Sequence, residues 1–276
     1  MMRRPVPKQQ PSEPPAAKPT RIPISGCVIT FNEHDRIADC LRSMAFCDEI
    51  VVVDSGSTDG TDRIARELGA RVVANAPFPG HKEQKQFAVE QARHDWVFCL
   101  DADERATPEL AARVRDLAAR GALAGAGYEF PRQNYFLGRI LRHGLHVPDR
   151  KLRLFDRRDA RWGGANPHDH VETLRGATTR LPEAIVHLSY RDWAHARRTT
   201  ESFTRIAAQS LHAAGRRAHW HDFVVRPVAV FVKGYVLKLG FLDGWRGIVT
   251  AVLSSRYVFK KYSCLRARTR ASKSHG

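Results

Sequence analysis

The chain has 276 residues, 43% of them hydrophobic, enough for one large domain or one domain with an appended module. Its formal net charge of +16 favours anionic partners, whether nucleic acid, a lipid surface or a phosphorylated substrate. The five cysteines (Cys27, Cys40, Cys47, Cys99 and Cys264) show no pairing pattern and no Cys/His set has zinc spacing, which argues against a disulfide scaffold or zinc module and for a reducing, cytosolic setting.

Met1 to Pro23 holds seven of the fifteen prolines and no apolar core of a secretion signal, so residues 1–22 are expected to form a disordered, mildly basic tail. Ile24-Ser25-Gly26-Cys27-Val28-Ile29-Thr30 is an apolar, β-branched run that predicts a buried strand, ending at Phe31-Asn32-Glu33. Ile37, Leu41 and Met44 then recur at helical spacing. Glu49 to Val53 predicts a second strand, stopped by Asp54-Ser55-Gly56-Ser57-Thr58-Asp59-Gly60. A helix carrying Ile64, Ala65 and Leu68, a strand over Ala70 to Ala74, and a helix carrying Phe87, Ala88 and Ala92 follow. Trp96 to Leu100 predicts a further strand, which delivers Asp101-Ala102-Asp103-Glu104. Thr107-Pro108-Glu109 opens another helix, with Thr107 as N-cap, Pro108 at the first helical position, and Leu110, Val114 and Leu117 as the apolar stripe.

Strands alternating with helices predict an α/β fold with a doubly wound, mostly parallel sheet. The polar ends at Thr30 to Glu33, Asp54 to Asp59 and Asp101 to Glu104 would then gather at its carboxyl edge, where ligands bind in such sheets. Taken alone, Asp101 and Asp103 are either an acidic turn or a carboxylate pair for a divalent cation such as Mg²⁺ or Mn²⁺. The first strand has no Gly-x-Gly-x-x-Gly turn and the chain no phosphate-binding Gly-x-x-x-x-Gly-Lys, so a metal held by carboxylates is the natural substitute. Asp54 suits either a base or ribose contact or the cap of the next helix.

The C-terminal third reads as helical. Phe203, Ile206, Ala207, Ser210 and Leu211 make one amphipathic face. The most apolar stretch, Pro227 to Tyr262, is interrupted by Lys233, Lys238, Asp243 and Arg246, which predicts no spanning helix. It suits either packing on the α/β domain or attachment to an anionic membrane surface. The expected divisions are a domain over 23–195, a helical region over 196–262 and a disordered basic tail over 263–276.

Ile29-Thr30-Phe31-Asn32-Glu33, Val51-Val52-Val53-Asp54-Ser55-Gly56-Ser57-Thr58-Asp59 and Leu100-Asp101-Ala102-Asp103-Glu104 resemble the donor-binding motifs of family 2 glycosyltransferases, whose fold is the GT-A nucleotide-sugar fold. Asn134-Tyr135-Phe136-Leu137-Gly138-Arg139, Lys151-Leu152-Arg153-Leu154-Phe155 and Leu239-Gly240-Phe241-Leu242-Asp243-Gly244-Trp245-Arg246-Gly247 resemble the lipopolysaccharide core glucosyltransferase branch. The resemblance implies a UDP-sugar donor whose uridine contacts Asp54 and the turn of Thr30, Asn32 and Glu33. It also implies a divalent cation at Asp101 and Asp103, and Lys85 facing the diphosphate or lying on a solvated helix face. Where the family commonly shows Val-His-Glu-Lys-Val, this chain has His168-Asp169-His170-Val171, which aligns Asp169 with the expected catalytic base, shorter by one methylene. His168 or His170 is the second reading for that base. Arg139, Arg142, Arg150, Lys151 and Arg153 crowd the implied acceptor side, with Arg150, Lys151, Arg153 and His168 as acceptor contacts. The implied reaction is an inverting transfer to a lipopolysaccharide inner-core acceptor at the cytoplasmic face of a bacterial inner membrane.

Two further readings share these motifs: a polyprenyl-phosphate sugar synthase, which needs no general base, and a nucleotide-sugar-binding protein without catalysis. Nucleic acid is not an expected partner, because no helix-turn-helix, zinc-finger or RNP pattern accompanies the dispersed basic residues.

Overall fold

The computed structural model describes residues 20–273, apart from Pro167 and Arg191. The proline-rich segment of residues 1–19 lies outside the described residues. In chain order the first elements are β1 (Ile24–Thr30), α1 (Ile37–Ser43), β2 (Glu49–Asp54), α2 (Thr61–Glu67), β3 (Arg71–Ala74), α3 (His81–Glu90), β4 (Trp96–Asp101), β5 (Glu104–Ala106) and α4 (Pro108–Ala119). Strands dominate the next part: β6 (Gly127–Phe136), β7 (Arg139–Ile140), β8 (Arg150–Asp156), β9 (Ala160–Ala165), β10 (His168–Thr173), β11 (Thr178–Arg180) and β12 (Ile185–Leu188). Three helices close the chain: α5 (Trp193–Ala213), α6 (His221–Val232) and α7 (Trp245–Lys273).

The main sheet has the order β3-β2-β1-β4-β8-β6-β12-β5. Its first four strands run parallel; β8 then pairs antiparallel with both β4 and β6, β12 parallel with β6, and β5 antiparallel with β12. The predicted parallel sheet is therefore the half made of β3, β2, β1 and β4, continued by a mixed half. Both faces of the parallel half are covered, as alternation along the strands requires. Val28, Val52, Phe98 and Leu100 face a core with Cys40 and Leu41 of α1 and Leu110, Val114 and Leu117 of α4. Cys27, Val51, Val53, Val97 and Cys99 face the opposite core, with Ala88 and Val89 of α3 and Trp162 of β9. Gly26 permits the close approach of α1, since a Cβ there would stand 2.8 Å from the Met44 Cε.

The helix start at Thr107 is as expected: its side chain accepts a hydrogen bond from the Leu110 N–H at 3.3 Å, and Pro108 is the first helical residue. Thr107→Ala should lower stability by about 1 kcal/mol, read as a shift in the urea midpoint at unchanged slope.

The C-terminal helices depart from the expected divisions. The 195/196 boundary falls inside the first turn of α5. Residues 263–273, expected as a disordered tail, continue α7, because Cys264 and the fully buried Leu265 extend the core formed by Ala208, Val258 and Tyr262. The motif Leu239 to Gly247 is the tip that joins α6 to α7. Gly247 is obligatory there, since a Cβ would lie 1.7 Å from the Gly240 carbonyl oxygen. None of the described helices is long and apolar enough to cross a membrane.

Candidate active site

The parallel register brings the three predicted polar strand ends together. Thr30 pairs with Asp54 across β1 and β2, and Ile29 pairs with Asp101 across β1 and β4. The turns after β1 and β2 are knitted into one structure. Asn32 adopts a positive φ of 54°, a conformation that asparagine tolerates better than most residues. Its N–H donates to Ser57 Oγ at 2.9 Å and its side-chain oxygen accepts from the Thr58 N–H at 2.9 Å. The Glu33 N–H donates to Thr61 Oγ1 at 2.9 Å. Asp54, buried, accepts from the Gly56 and Ser57 N–H groups at 2.9 and 2.8 Å and from the Ser57 hydroxyl. It thus holds its own turn and does not cap α2. The Thr30 hydroxyl oxygen beside it is buried with no partner among the described residues.

At the end of β4 the Asp101 carboxylate meets two cations. Lys85 Nζ of α3 lies 2.9 Å from one oxygen and 3.2 Å from the other. The Arg153 guanidinium of β8 lies 3.1 Å away. Burial opposes ionisation of Asp101, but Lys85 and Arg153 together hold its carboxyl well below the usual range. Burial likewise opposes the charge on Lys85, but Asp101 and Asp169 together more than offset it, so the ammonium is held above its ordinary pKa. Lys85 is therefore a half-buried, charged group, not part of a solvated helix face. Its Nζ also stands 2.9 Å from Asp169 Oδ2 and 4.7 Å from the centroid of the Trp162 ring. One ammonium thus bridges the donor-side carboxylate and the carboxylate aligned with the base.

Asp169 reaches this position because β9 and β10 form a hairpin under α3. The hairpin is tied down by Gln86, whose side-chain oxygen accepts from the Trp162 N–H at 3.0 Å, and by Asn166, which accepts from the Lys82 N–H at 3.0 Å. Successive side chains of a strand point to opposite faces. His170 accordingly turns away from Lys85, exposed and 3.7 Å from Glu172. The geometry thus disfavours His170 as the base. The His168 side chain lies outside the described residues.

Asp103 is held separately. His187 Nε2 of β12 lies 3.4 Å from its Oδ2 and the Arg36 guanidinium 3.8 Å from the same oxygen. Burial raises the Asp103 pKa, but His187 outweighs this and lowers it. His187 Nδ1 is 2.7 Å from the Asn134 side-chain oxygen, and the Asn134 amide nitrogen faces the His146 carbonyl and Asp149. That arrangement suits an Nδ1–H donated to Asn134 and leaves Nε2 turned toward Asp103. An aspartate oxygen and a neutral imidazole nitrogen at this spacing suit adjacent positions on one divalent cation. Among the described residues no cluster of three metal-ligating side chains occurs, so such a cation would draw its other ligands from phosphate oxygens and water. Asp101, expected as a second ligand, is paired with Lys85 and Arg153.

The basic residues expected at the acceptor separate. Arg153 is buried and turned toward Asp101, where it also meets the fully buried Glu104 at 2.7 Å. Glu104 in turn accepts from the Asp101 N–H at 3.1 Å and from Arg132 at 3.0 Å. Lys151 pairs with Asp149 at 3.1 Å. Arg150, on the other face of β8, donates to the Leu181 carbonyl at 2.6 Å. Glu104, Arg132, Trp162 and His187 were not anticipated. The available signal was the acid adjoining Asp103 and the alternation Lys151, Arg153, Phe155, which puts Arg153 on the inward face.

Known proteins resemble the chain in sequence and in fold. Residues 25–181 match the family model described as glycosyl transferase family 2. The chain is 26% identical over 265 residues to the lipopolysaccharide core biosynthesis glycosyltransferase LpsC of Rhizobium meliloti, covering 90% of this chain and 96% of that protein. It is 27% identical over 269 residues to an uncharacterized glycosyltransferase of Rickettsia conorii, covering 91% and 92% of the two chains. The fold is shared with the mannosyltransferase PcManGT from Pyrobaculum calidifontis, solved with GDP-Man and Mn²⁺, at a TM-score of 0.52 and 15% identity over 92% of this chain and 90% of that one.

Proposed function

The chain belongs to glycosyl transferase family 2, and from that premise we propose that it is an inverting enzyme that moves a sugar, glucose in particular, from a UDP-sugar to a lipopolysaccharide inner-core acceptor. The observation that carries the reading is the single Lys85 ammonium shared between Asp101 and Asp169. This shared contact supports a base and a donor-side carboxylate acting at one reacting centre. The similarity to LpsC along nearly the whole chain supports the choice of acceptor.

In the proposed reaction the uridine lies against Asp54 and the Thr30 to Glu33 turn, where the buried Thr30 hydroxyl lacks a partner among the described residues. Lys85 faces the diphosphate. As the negatively charged diphosphate draws the ammonium toward itself, Asp169 is released from its ion pair and becomes a free carboxylate. The acceptor hydroxyl loses its proton to an Asp169 oxygen as its own oxygen bonds to the anomeric carbon. The bond from that carbon to the diphosphate breaks on the opposite side, and the diphosphate leaves with the electron pair. A UDP-α-sugar would thereby yield a β-glycoside. A divalent cation, Mg²⁺ or Mn²⁺, supplies electrophilic charge to the leaving group when bound, and Asp103 with His187 are the residues that would hold it.

The test incubates the full chain with Mg²⁺ or Mn²⁺, a panel of UDP-sugars and truncated inner-core acceptors, and measures UDP release. Absence of acceptor-dependent release in every combination would overturn the assignment. Asp103→Asn separates the metal role from folding. It should weaken Mn²⁺ binding in the presence of UDP by at least ~10-fold, read by calorimetry, with thermal unfolding little changed. Unaltered Mn²⁺ affinity would move the cation elsewhere.

A further inference from the structure

The C-terminal helices expose an apolar surface that the proposed chemistry does not use. α6 and α7 form an antiparallel pair: Ser255 donates to the Pro227 carbonyl at 2.9 Å, and the Phe223 and Phe259 rings lie 5.9 Å apart. The contact line passes through Phe223, Pro227 and Val230 on α6 and through Ala251, Ser255, Val258 and Tyr262 on α7. Val224 and Val228 follow that line by one position on α6, as Val252 and Phe259 do on α7. One position is about 100° around a helix, and in an antiparallel pair the two offsets turn to the same side. These four side chains therefore share one face, and all are exposed. The tip extends the apolar surface with Leu237 (71% exposed), Leu239, Phe241, Leu242 (56%) and Trp245. Trp220, 75% exposed, stands at the other end, just before α6.

The charge around this face is one-sided. Residues 214–273 contain thirteen lysines and arginines against two aspartates, Asp222 and Asp243. Both acids are used internally. Asp222 pairs with Arg226 at 2.5 Å, and Asp243 accepts from the Arg142 and His143 N–H groups at 3.1 and 2.9 Å. Lys233, Lys238 and Arg256 lie exposed on the same two helices and their tip.

The geometry points to this face as a docking surface for an anionic lipid bilayer. An apolar face rimmed by cations and bracketed by tryptophans suits the headgroup boundary, where side chains enter the acyl region and lysines and arginines meet lipid phosphates. A second copy is disfavoured by charge, because it would bring two surfaces of the same sign together. The helices lie on the bilayer and do not cross it. The tip is bound to the loop between β6 and β8: Gly144 N–H donates to the Lys238 carbonyl at 2.8 Å and Arg246 to the Leu137 carbonyl at 3.1 Å. Docking would consequently set the orientation of the sheet that carries the site, presenting it to an acceptor embedded in the same membrane. That last step rests on the proposed function; the lipid binding does not.

Vesicle sedimentation of the full chain tests it without any substrate. Vesicles of two parts phosphatidylcholine to one part phosphatidylglycerol should bind at least ~10-fold more tightly than phosphatidylcholine alone, and added salt should reduce the difference. Leu237→Ser with Leu242→Ser should weaken that binding by at least ~10-fold while UDP binding stays unchanged. Should the tip variant fail to fold, Val224→Ser with Val228→Ser repeats the test on α6. No binding to the anionic vesicles, equal binding to both compositions, or binding that survives the variants would overturn the proposal. So would a dimer in light scattering that the same substitutions dissolve, which would assign the face to a second copy.

Discussion

Asp169→Asn lowers the rate of sugar transfer by roughly 10²–10⁴-fold and leaves UDP affinity within about twofold of the unmodified protein. The substitution keeps the shape of a nearly buried side chain and removes its capacity to accept a proton together with its charge beside Lys85. Lys85 keeps its contacts with Asp101 at 2.9 and 3.2 Å, so the diphosphate side of the site retains its ammonium. The loss therefore falls on kcat and not on donor binding, measured as UDP release under saturating donor. Asp169→Glu is the informative partner. It restores the length that the family commonly has here, yet a site built around the shorter side chain holds its base about 1 Å nearer to Lys85, and a misplacement of that size can reduce the rate by about 100-fold. Full turnover in Asp169→Asn would exclude this base and direct attention to His168.

The nucleotide half of the fold was legible because its strands are buried on both faces. Continuous runs such as Ile24 to Thr30 and Trp96 to Leu100 end abruptly in polar residues, and those ends mark the sheet edge. The mixed half was not legible for the converse reason. β6 carries Glu129, Pro131, Arg132, Gln133 and Asn134 in one strand, and several of these are the site's own wiring. A strand that lines a charged cavity has no apolar alternation to read. His187 illustrates the limit: it lies 84 positions beyond Asp103, and only the register of β12 against β5 and β6 brings it there. Arg153 was assigned to the acceptor on composition, since a basic cluster does not reveal which of its members turn inward. The C-terminal tail was misjudged because Arg266, Arg268 and Arg270 resemble a solvated run, while Leu265 secures the helix from its other face.

The same inward-facing arginine should dominate stability. Arg153→Met is expected to lower the free energy of unfolding by about 3–5 kcal/mol, the largest change for any substitution outside the hydrophobic cores. Arg153 is 3% exposed and Glu104 fully buried, with only 2.7 Å between them. Removing the cation leaves the fully buried Glu104 to Arg132 alone and the partly exposed Asp101 to Lys85 alone. The deficit is chiefly the desolvation of carboxylates that remain charged, so neutralising one of them should return part of it. Arg153→Met combined with Glu104→Gln should accordingly be more stable than Arg153→Met by itself, a coupling that urea midpoints of the two single variants and the double variant would measure. The pH dependence carries the same sign. Asp101 is held below the usual carboxylate range in the folded state, so its contribution is fully present above about pH 4 and lost as the pH falls. In Arg153→Met that acid-dependent contribution shrinks, because one of the two cations that depress Asp101 is gone. Equal stability of the single and double variants, or an Arg153→Met protein as stable as the original, would mean that water enters this region and screens the charges.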